Sequence, residues 1–203
     1  MNQEIIIVSG LPRSGTSLMM QMLEKGGVRV VKDNARTADV DNPRGYYEFE
    51  RVKKIRQDVS WLAEARGSAV KMVSQLLYDL PSSEEYRIVF TERDMDEMLL
   101  SQETMLNRLG RDSAPRDEMK RSYTLHLERL HDWLRRQRHI KVLYVRYNEL
   151  IENPAREARR ISEFLDGKPD VEGMVTAVDP LLYRNRRNPA NHLHVYGTGR
   201  SVD

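Results

Sequence analysis

Cysteine is absent from the 203-residue chain, which excludes disulfide cross-links and thiolate metal sites and fits a reducing compartment. Neither charge predominates: 33 Lys and Arg stand against 31 Asp and Glu, a net charge of +2. A nucleic-acid coat or membrane-surface binder carries a stronger basic excess, so no nucleic-acid partner is expected, and any use of positive charge has to be local. No apolar run approaches the length of a membrane span. The chain opens on Glu4 and a short run, Ile5-Ile6-Ile7-Val8, rather than the basic stretch and longer apolar segment of a secretion signal. These absences predict a soluble, cytoplasmic protein, and the length predicts one domain over residues 1–203.

What is present is an alternation of short apolar runs with longer helical patterns, and neither a repeat nor a low-complexity block interrupts it. Ile5-Ile6-Ile7-Val8, residues 69–73, Ile88-Val89-Phe90 and residues 142–145 read as strands, with residues 28–31 as a shorter fifth. Apart from Lys71 the first four are apolar on both faces, as strands buried between two helical layers are. Helices follow from their spacing and punctuation. Leu18, Met19, Met22 and Leu23 form a stripe closed by Gly26-Gly27. Asp94 and Glu97 make a capping pair ahead of Met95, Met98, Leu99, Met105 and Leu106. Met119, Tyr123, Leu127, Leu130 and Leu134 keep helical spacing through a charged segment, and Asn153-Pro154 opens a helix that Gly167 ends. A further helix is expected over residues 46–65. The pattern predicts a three-layer α/β/α fold with a mainly parallel sheet of four or five strands. Residues 180–203 lose periodicity and read as a closing tail.

The first strand runs straight into Gly10-Leu11-Pro12-Arg13-Ser14-Gly15-Thr16-Ser17 and then a helix. Strand, glycine loop and helix point backbone N–H groups and a helix N-terminus at a phosphate; the alternative is a turn whose hydroxyls merely cap the helix. An ATP-binding loop of this kind needs Lys where Thr16 stands, and here the charge comes from Arg13 inside the loop. The third long strand ends in Thr91-Glu92-Arg93, with Ser101 eight positions on. A strand-end Arg clamps phosphate with paired N–H donors. Alternatively, Arg93 pairs with Asp94 or Asp96 and Ser101 is a helix-surface residue. Being at a strand end, Arg93 is expected outside the core.

Proline, a basic residue, then Ser-Gly-Thr-Ser resembles the 5′-phosphosulfate loop of the sulfotransferase family, and Arg93 with Ser101 resembles that family's 3′-phosphate site. A third stretch, from Val142 through Arg146-Tyr147-Asn148-Glu149-Leu150 to Asn153-Pro154 and Leu165, resembles the family's late strand, tyrosine corner and following helix. Together the resemblance covers residues 4–166. It departs at Met95, often Pro in relatives. It implies a P-loop fold and 3′-phosphoadenosine 5′-phosphosulfate (PAPS) as sulfuryl donor, leaving 3′,5′-adenosine bisphosphate (PAP). Arg13, Ser14, Gly15, Thr16 and Ser17 would hold the 5′ end, Arg93 and Ser101 the 3′-phosphate, with Tyr147 near the adenine or simply packed on the core.

Some cytosolic members use a His two residues after a strand Lys; here Lys71 is present and Val73 occupies the His position. Other branches use a Glu, and Gly45-Tyr46-Tyr47-Glu48 resembles the segment that supplies it. The resemblance therefore implies Glu48 as general base and Lys71 and Arg13 as the groups that steady the reacting end. A first-turn Glu favoured by a helix dipole, and a Lys in a structural ion pair, are the plainer readings. His126, His131 and His139 read as solvated, and His192 and His194 as loop residues, so no metal is expected. Arg184, Arg186, Arg187 and Arg200 carry no assignment. The acceptor, a hydroxyl or amine on a sugar, lipid, peptide or small alcohol, is open. So are two rivals, an ATP-dependent P-loop kinase and a non-catalytic nucleotide-binding module.

Overall fold

The computed structural model describes residues 4–33, 39 and 45–179. The closing tail, with His192, His194 and the late arginines, lies outside these residues. Strands β1 (Ile5–Gly10), β2 (Val30–Val31), β3 (Ala69–Val73), β4 (Tyr86–Glu92) and β5 (Ile140–Arg146) form one sheet in the order β2-β3-β1-β4-β5. Every pairing is parallel, as strands joined by helical crossovers require. The expected short strand is present as β2, only two residues long.

Both faces of the sheet are covered because side chains alternate along each strand. Ile5, Ile7, Met72, Ile88 and Phe90 point to one side, where Trp61, Leu77, Leu130 and Leu134 meet them. Ile6, Val8, Ala69 and Val89 point to the other, against Met19, Met22 and Leu23 of α1 (Thr16–Lys25) and Ile161 of the later helices. α2 (Leu62–Ala65) and α4 (Arg116–Leu134) contribute to the first layer. The second holds α1, α5 (Tyr147–Glu152), α6 (Pro154–Phe164) and α7 (Val171–Thr176). None of the described helices is long and apolar enough to cross a membrane.

Several local expectations are corrected. Residues 46–65 are not one helix: an extended stretch leads into a 3₁₀ turn (Glu50–Lys54), and α2 is four residues long. Phe49, Val52 and Ile55 recur every third residue, which suits three residues per turn better than 3.6. Tyr47, at φ 55, is in the left-handed region that breaks a helix. Asp94 does cap α3 (Met95–Arg108), accepting from the backbone N–H groups of Asp96 and Glu97, each at 3.0 Å. In α3 only Met98 and Leu99 of the expected stripe are fully buried. Pro154 takes the first turn of α6 as expected, yet the Asn153 side chain makes no capping bond. α7 was not foreseen; six residues are too few to show a period.

His126, His131 and His139 are half-buried rather than solvated. His131 packs edge-on against Phe90 and Tyr144, and His139 against Tyr86. His126 shares a hydrogen bond with Ser74 Oγ at 2.9 Å and stands edge-on to Tyr78. Burial, and secondarily the charge of His131, pushes its pKa below the ordinary 6.5. The unfolded chain therefore takes up this proton at higher pH than the folded one. The contribution to stability is complete above 6.5 and shrinks as pH falls through it toward the folded value. Chemical denaturation at pH about 7.5 and about 5.5 should show a smaller loss for His126→Gln than for the wild type. Equal losses would contradict the assignment.

Candidate active site

Two glycines in the turn after β1 are fixed by close approach. Gly10 faces β4 so tightly that a Cβ would sit 2.6 Å from the Thr91 carbonyl oxygen. Gly15, at φ 104, has the Tyr147 ring against it, with Cε2 only 2.9 Å from where a Cβ would lie. Between them Arg13 also adopts a positive φ, 70. Ser14 is 2% exposed, and its hydroxyl shares a 2.8 Å bond with Thr91 Oγ1, which donates onward to the Ser9 carbonyl. Ser14 therefore faces inward and ties the loop to β4; it is the one predicted loop residue that does not line the cleft described next.

That cleft, of about 550 Å³, opens at the carboxyl edge of the sheet, where the segments following β1, β3 and β4 converge. It gathers Arg13, Gly15, Thr16 and Ser17 from the loop, and Glu48 from the segment before the 3₁₀ turn. Lys71 enters from β3, Arg93 and Ser101 from β4 and α3, and Tyr147 from α5. The two arginine sites are joined directly. Arg13 Nε donates to Ser101 Oγ at 3.0 Å, and Arg93 Nη1 to the Arg13 carbonyl at 3.3 Å. Arg93 also lies over the Tyr147 ring, 4.8 Å from its centroid. Among the described residues it pairs with Glu97, at 3.4 Å, and both side chains are nearly fully buried, 8% and 5% exposed. Arg93 is thus part of the packed interior, contrary to what its strand-end position implied.

On the opposite flank, Lys71 Nζ donates to the Tyr46 carbonyl and lies 3.4 Å from Ser17 Oγ, which also reaches that carbonyl at 3.4 Å. The segment carrying Glu48 is pinned further by Tyr47, whose hydroxyl donates to Glu24 at 2.5 Å. Burial pushes the Glu24 carboxyl up, but its bonds from Lys32 and Tyr47 outweigh this and hold it below the ordinary carboxylate range. The Glu48 carboxylate itself is a quarter exposed, 3.8 Å from Lys53 Nζ.

Sequence reasoning missed Glu97 as the arginine's counter-ion and Gln21 altogether. Gln21 lines the cleft at 8% exposed, and among the described residues its amide makes no hydrogen bond. Its signal was a polar residue inside the α1 methionine stripe, four positions after Ser17.

A family model for the sulfotransferase domain matches residues 3–196. The chain belongs to the sulfotransferase family. No curated protein matches it. In fold, this sulfotransferase is similar to the sulfotransferase domain from the curacin biosynthetic pathway: 12% identity, TM-score 0.51, covering 87% of this chain and 78% of that one. It is similar to a mouse sulfotransferase complexed with PAP: 15% identity, TM-score 0.52, covering 87% of this chain and 62% of the mouse chain. It also resembles a sulfotransferase from Mycobacterium avium: 14% identity, TM-score 0.50, covering 96% and 70%.

The Gly15–Tyr147 contact is testable through energetic coupling. Gly15→Ala and Tyr147→Ala should each destabilise the sulfotransferase, the first by collision and the second by loss of packing. The double variant should lose less than their sum, by about 0.5–3 kcal/mol, because removing the ring makes room for the methyl. Strict additivity in denaturant melts would show that the two residues do not meet.

Proposed function

We propose that the protein transfers a sulfuryl group from PAPS to an acceptor hydroxyl, acting in the cytoplasm. The observation that carries this reading is the joining of two cationic sites, Arg13 and Arg93, at one end of one cleft. A donor with anions at both its 5′ and 3′ positions answers that pair. The loop N–H groups, with Arg13, Thr16 and Ser17, hold the 5′-phosphosulfate, and Arg93 and Ser101 hold the 3′-phosphate. Ser101 accepts from Arg13 and keeps its own O–H to donate. Tyr147 supports Arg93 from beneath and stands beside the adenine.

In the transfer itself, the acceptor oxygen bonds to sulfur as the sulfur–oxygen bond to the 5′-phosphate breaks. The acceptor proton passes to the Glu48 carboxylate, and the leaving electron pair stays on the phosphate, steadied by Lys71 and Arg13. Lys71 can exchange the Tyr46 carbonyl for that oxygen without leaving the cleft. A kinase fits less well, because Thr16 stands in place of the loop lysine.

PAP should raise the melting temperature without magnesium, and by more than ATP does. An ATP preference that requires magnesium would favour the kinase. Arg93→Ala is a poor probe because it strands the buried Glu97 carboxylate, a loss on the order of 3–5 kcal/mol to folding. Arg93→Lys keeps the charge beside Glu97 while removing the planar fork. In titrations it should weaken PAP by roughly ten-fold or more and leave adenosine 5′-phosphate nearly unchanged; equal weakening of both would deny Arg93 the 3′-phosphate.

Glu48→Gln should bind PAP within a few-fold of wild type. With a working acceptor its turnover should fall on the order of 10²–10⁴-fold, the usual contribution of a positioned base. Near-normal turnover would remove Glu48 from the role.

A further inference from the structure

A second cavity, of about 430 Å³, opens at the carboxyl ends of β4 and β5, beside α4. Leu11, Arg93 and Tyr147 line both it and the cleft, and form the wall between them. Leu11, Phe90, Met98 and Leu127 make it largely apolar. Two of its polar groups stand apart. Among the described residues the Glu92 carboxylate accepts no hydrogen bond, and its ion-pair neighbour is His131 Nε2, 3.9 Å away. Asn148 Oδ1 is buried with no hydrogen-bond partner. The two lie at one end of adjacent strands: Glu92 is in register with Arg146, and Asn148 follows two residues later.

The other charged groups of this cavity are engaged. Asp94 caps α3 through two backbone N–H groups. Arg93 is held by Glu97 and the Arg13 carbonyl. Glu149 pairs with Arg146 at 3.5 Å and with Arg156 at 2.8 Å. An anion entering here would meet three carboxylates, with both arginines already committed. A neutral hydrocarbon would cover the Glu92 charge and leave the Asn148 oxygen unanswered. Among the described residues no three acidic or histidine side chains come together to hold a metal ion. An ammonium group fits both polar positions, because it brings a positive charge and three N–H donors. Hydrocarbon attached to it gains by covering the apolar walls.

We propose that this cavity is a binding site for a small primary amine with an apolar body. Its ammonium donates to the Glu92 carboxylate and to Asn148 Oδ1, and its hydrocarbon lies against Phe90, Met98 and Leu127. The site is separate from the sulfuryl-transfer cleft and does not depend on the donor reading.

The test is calorimetric titration of the full chain with phenethylamine, with and without saturating PAP. Phenethyl alcohol and 3-phenylpropionate serve as the neutral and anionic counterparts. Phenethylamine should bind at about one molecule per chain, at least roughly ten-fold tighter than either counterpart, and equally well in the presence of PAP. Glu92→Gln should weaken it by about ten-fold or more. Asn148→Leu should also weaken it several-fold, roughly the worth of one hydrogen bond. Without ligand that variant should melt no lower than the wild type, because it removes a buried oxygen that has no partner. A merely structural Asn148 would instead lower the melting temperature and leave amine binding alone. Each variant decides the matter by itself if the other fails to fold. Absence of binding, affinity unmoved by the substitutions, or equal affinity for the alcohol or the carboxylate overturns the proposal. Displacement of the amine by PAP would make the cavity part of the donor site and overturns it as well.

Discussion

The hydroxyl pair between Ser14 and Thr91 holds the glycine loop flat against β4, and the geometry of the cleft depends on that contact. It brings the loop so near the strand that position 10 has no room for a side chain. With the loop at that height, the Arg13 carbonyl comes within reach of Arg93, and the Arg13 side chain within reach of Ser101 on α3. A loop resting higher on the sheet would still present N–H groups to an anion, but the two arginines would no longer belong to one site. The inward Ser14 therefore contributes to the cleft by position, through its bond to Thr91.

Placing two guanidinium groups together in a partly buried cleft is costly unless negative charge answers them. Glu97 supplies part of that answer from beneath, deep enough to pair with Arg93 without filling the cleft. A chain of nearly balanced overall charge thus carries a local positive site, with Glu97 as the buried acid paired to Arg93.

Where the sequence could be read, one regular signal dominated. β3 ends where its apolar run ends, β1 passes directly into the loop, and α1 stops at Gly26 because each boundary coincides with glycine or a loss of apolar character. The loop residues and the Arg93–Ser101 spacing were legible for the same reason: they sit at fixed offsets from strand ends. The misreadings have a common cause in tertiary contact. Ser14 looks like an anion donor until Thr91, 77 residues away, takes its hydroxyl. His126 looks solvated on a charged helix until Ser74 arrives from 52 residues off. Glu97 served as a capping residue in the local pattern, and only the approach of Arg93 shows its carboxylate facing the arginine. The helix expected over residues 46–65 does not form, and Tyr47 at positive φ follows no pattern visible in a single sequence.

The central placement of β1 has a bearing on how the chain acquires its shape. β1 precedes the other described strands, yet both its neighbours, β3 and β4, come much later in the chain. The glycine loop is complete at residue 17, but its seat on β4 needs Thr91 and its partner on α3 needs Ser101. Most of the stabilising pairings are therefore long-range, and loop-closure entropy has to be met before they form, a topology associated with slow folding. During synthesis the apolar run of β1 waits, exposed, for some eighty residues of chain to emerge, so the segment that anchors the finished site is the one a nascent chain must shelter longest.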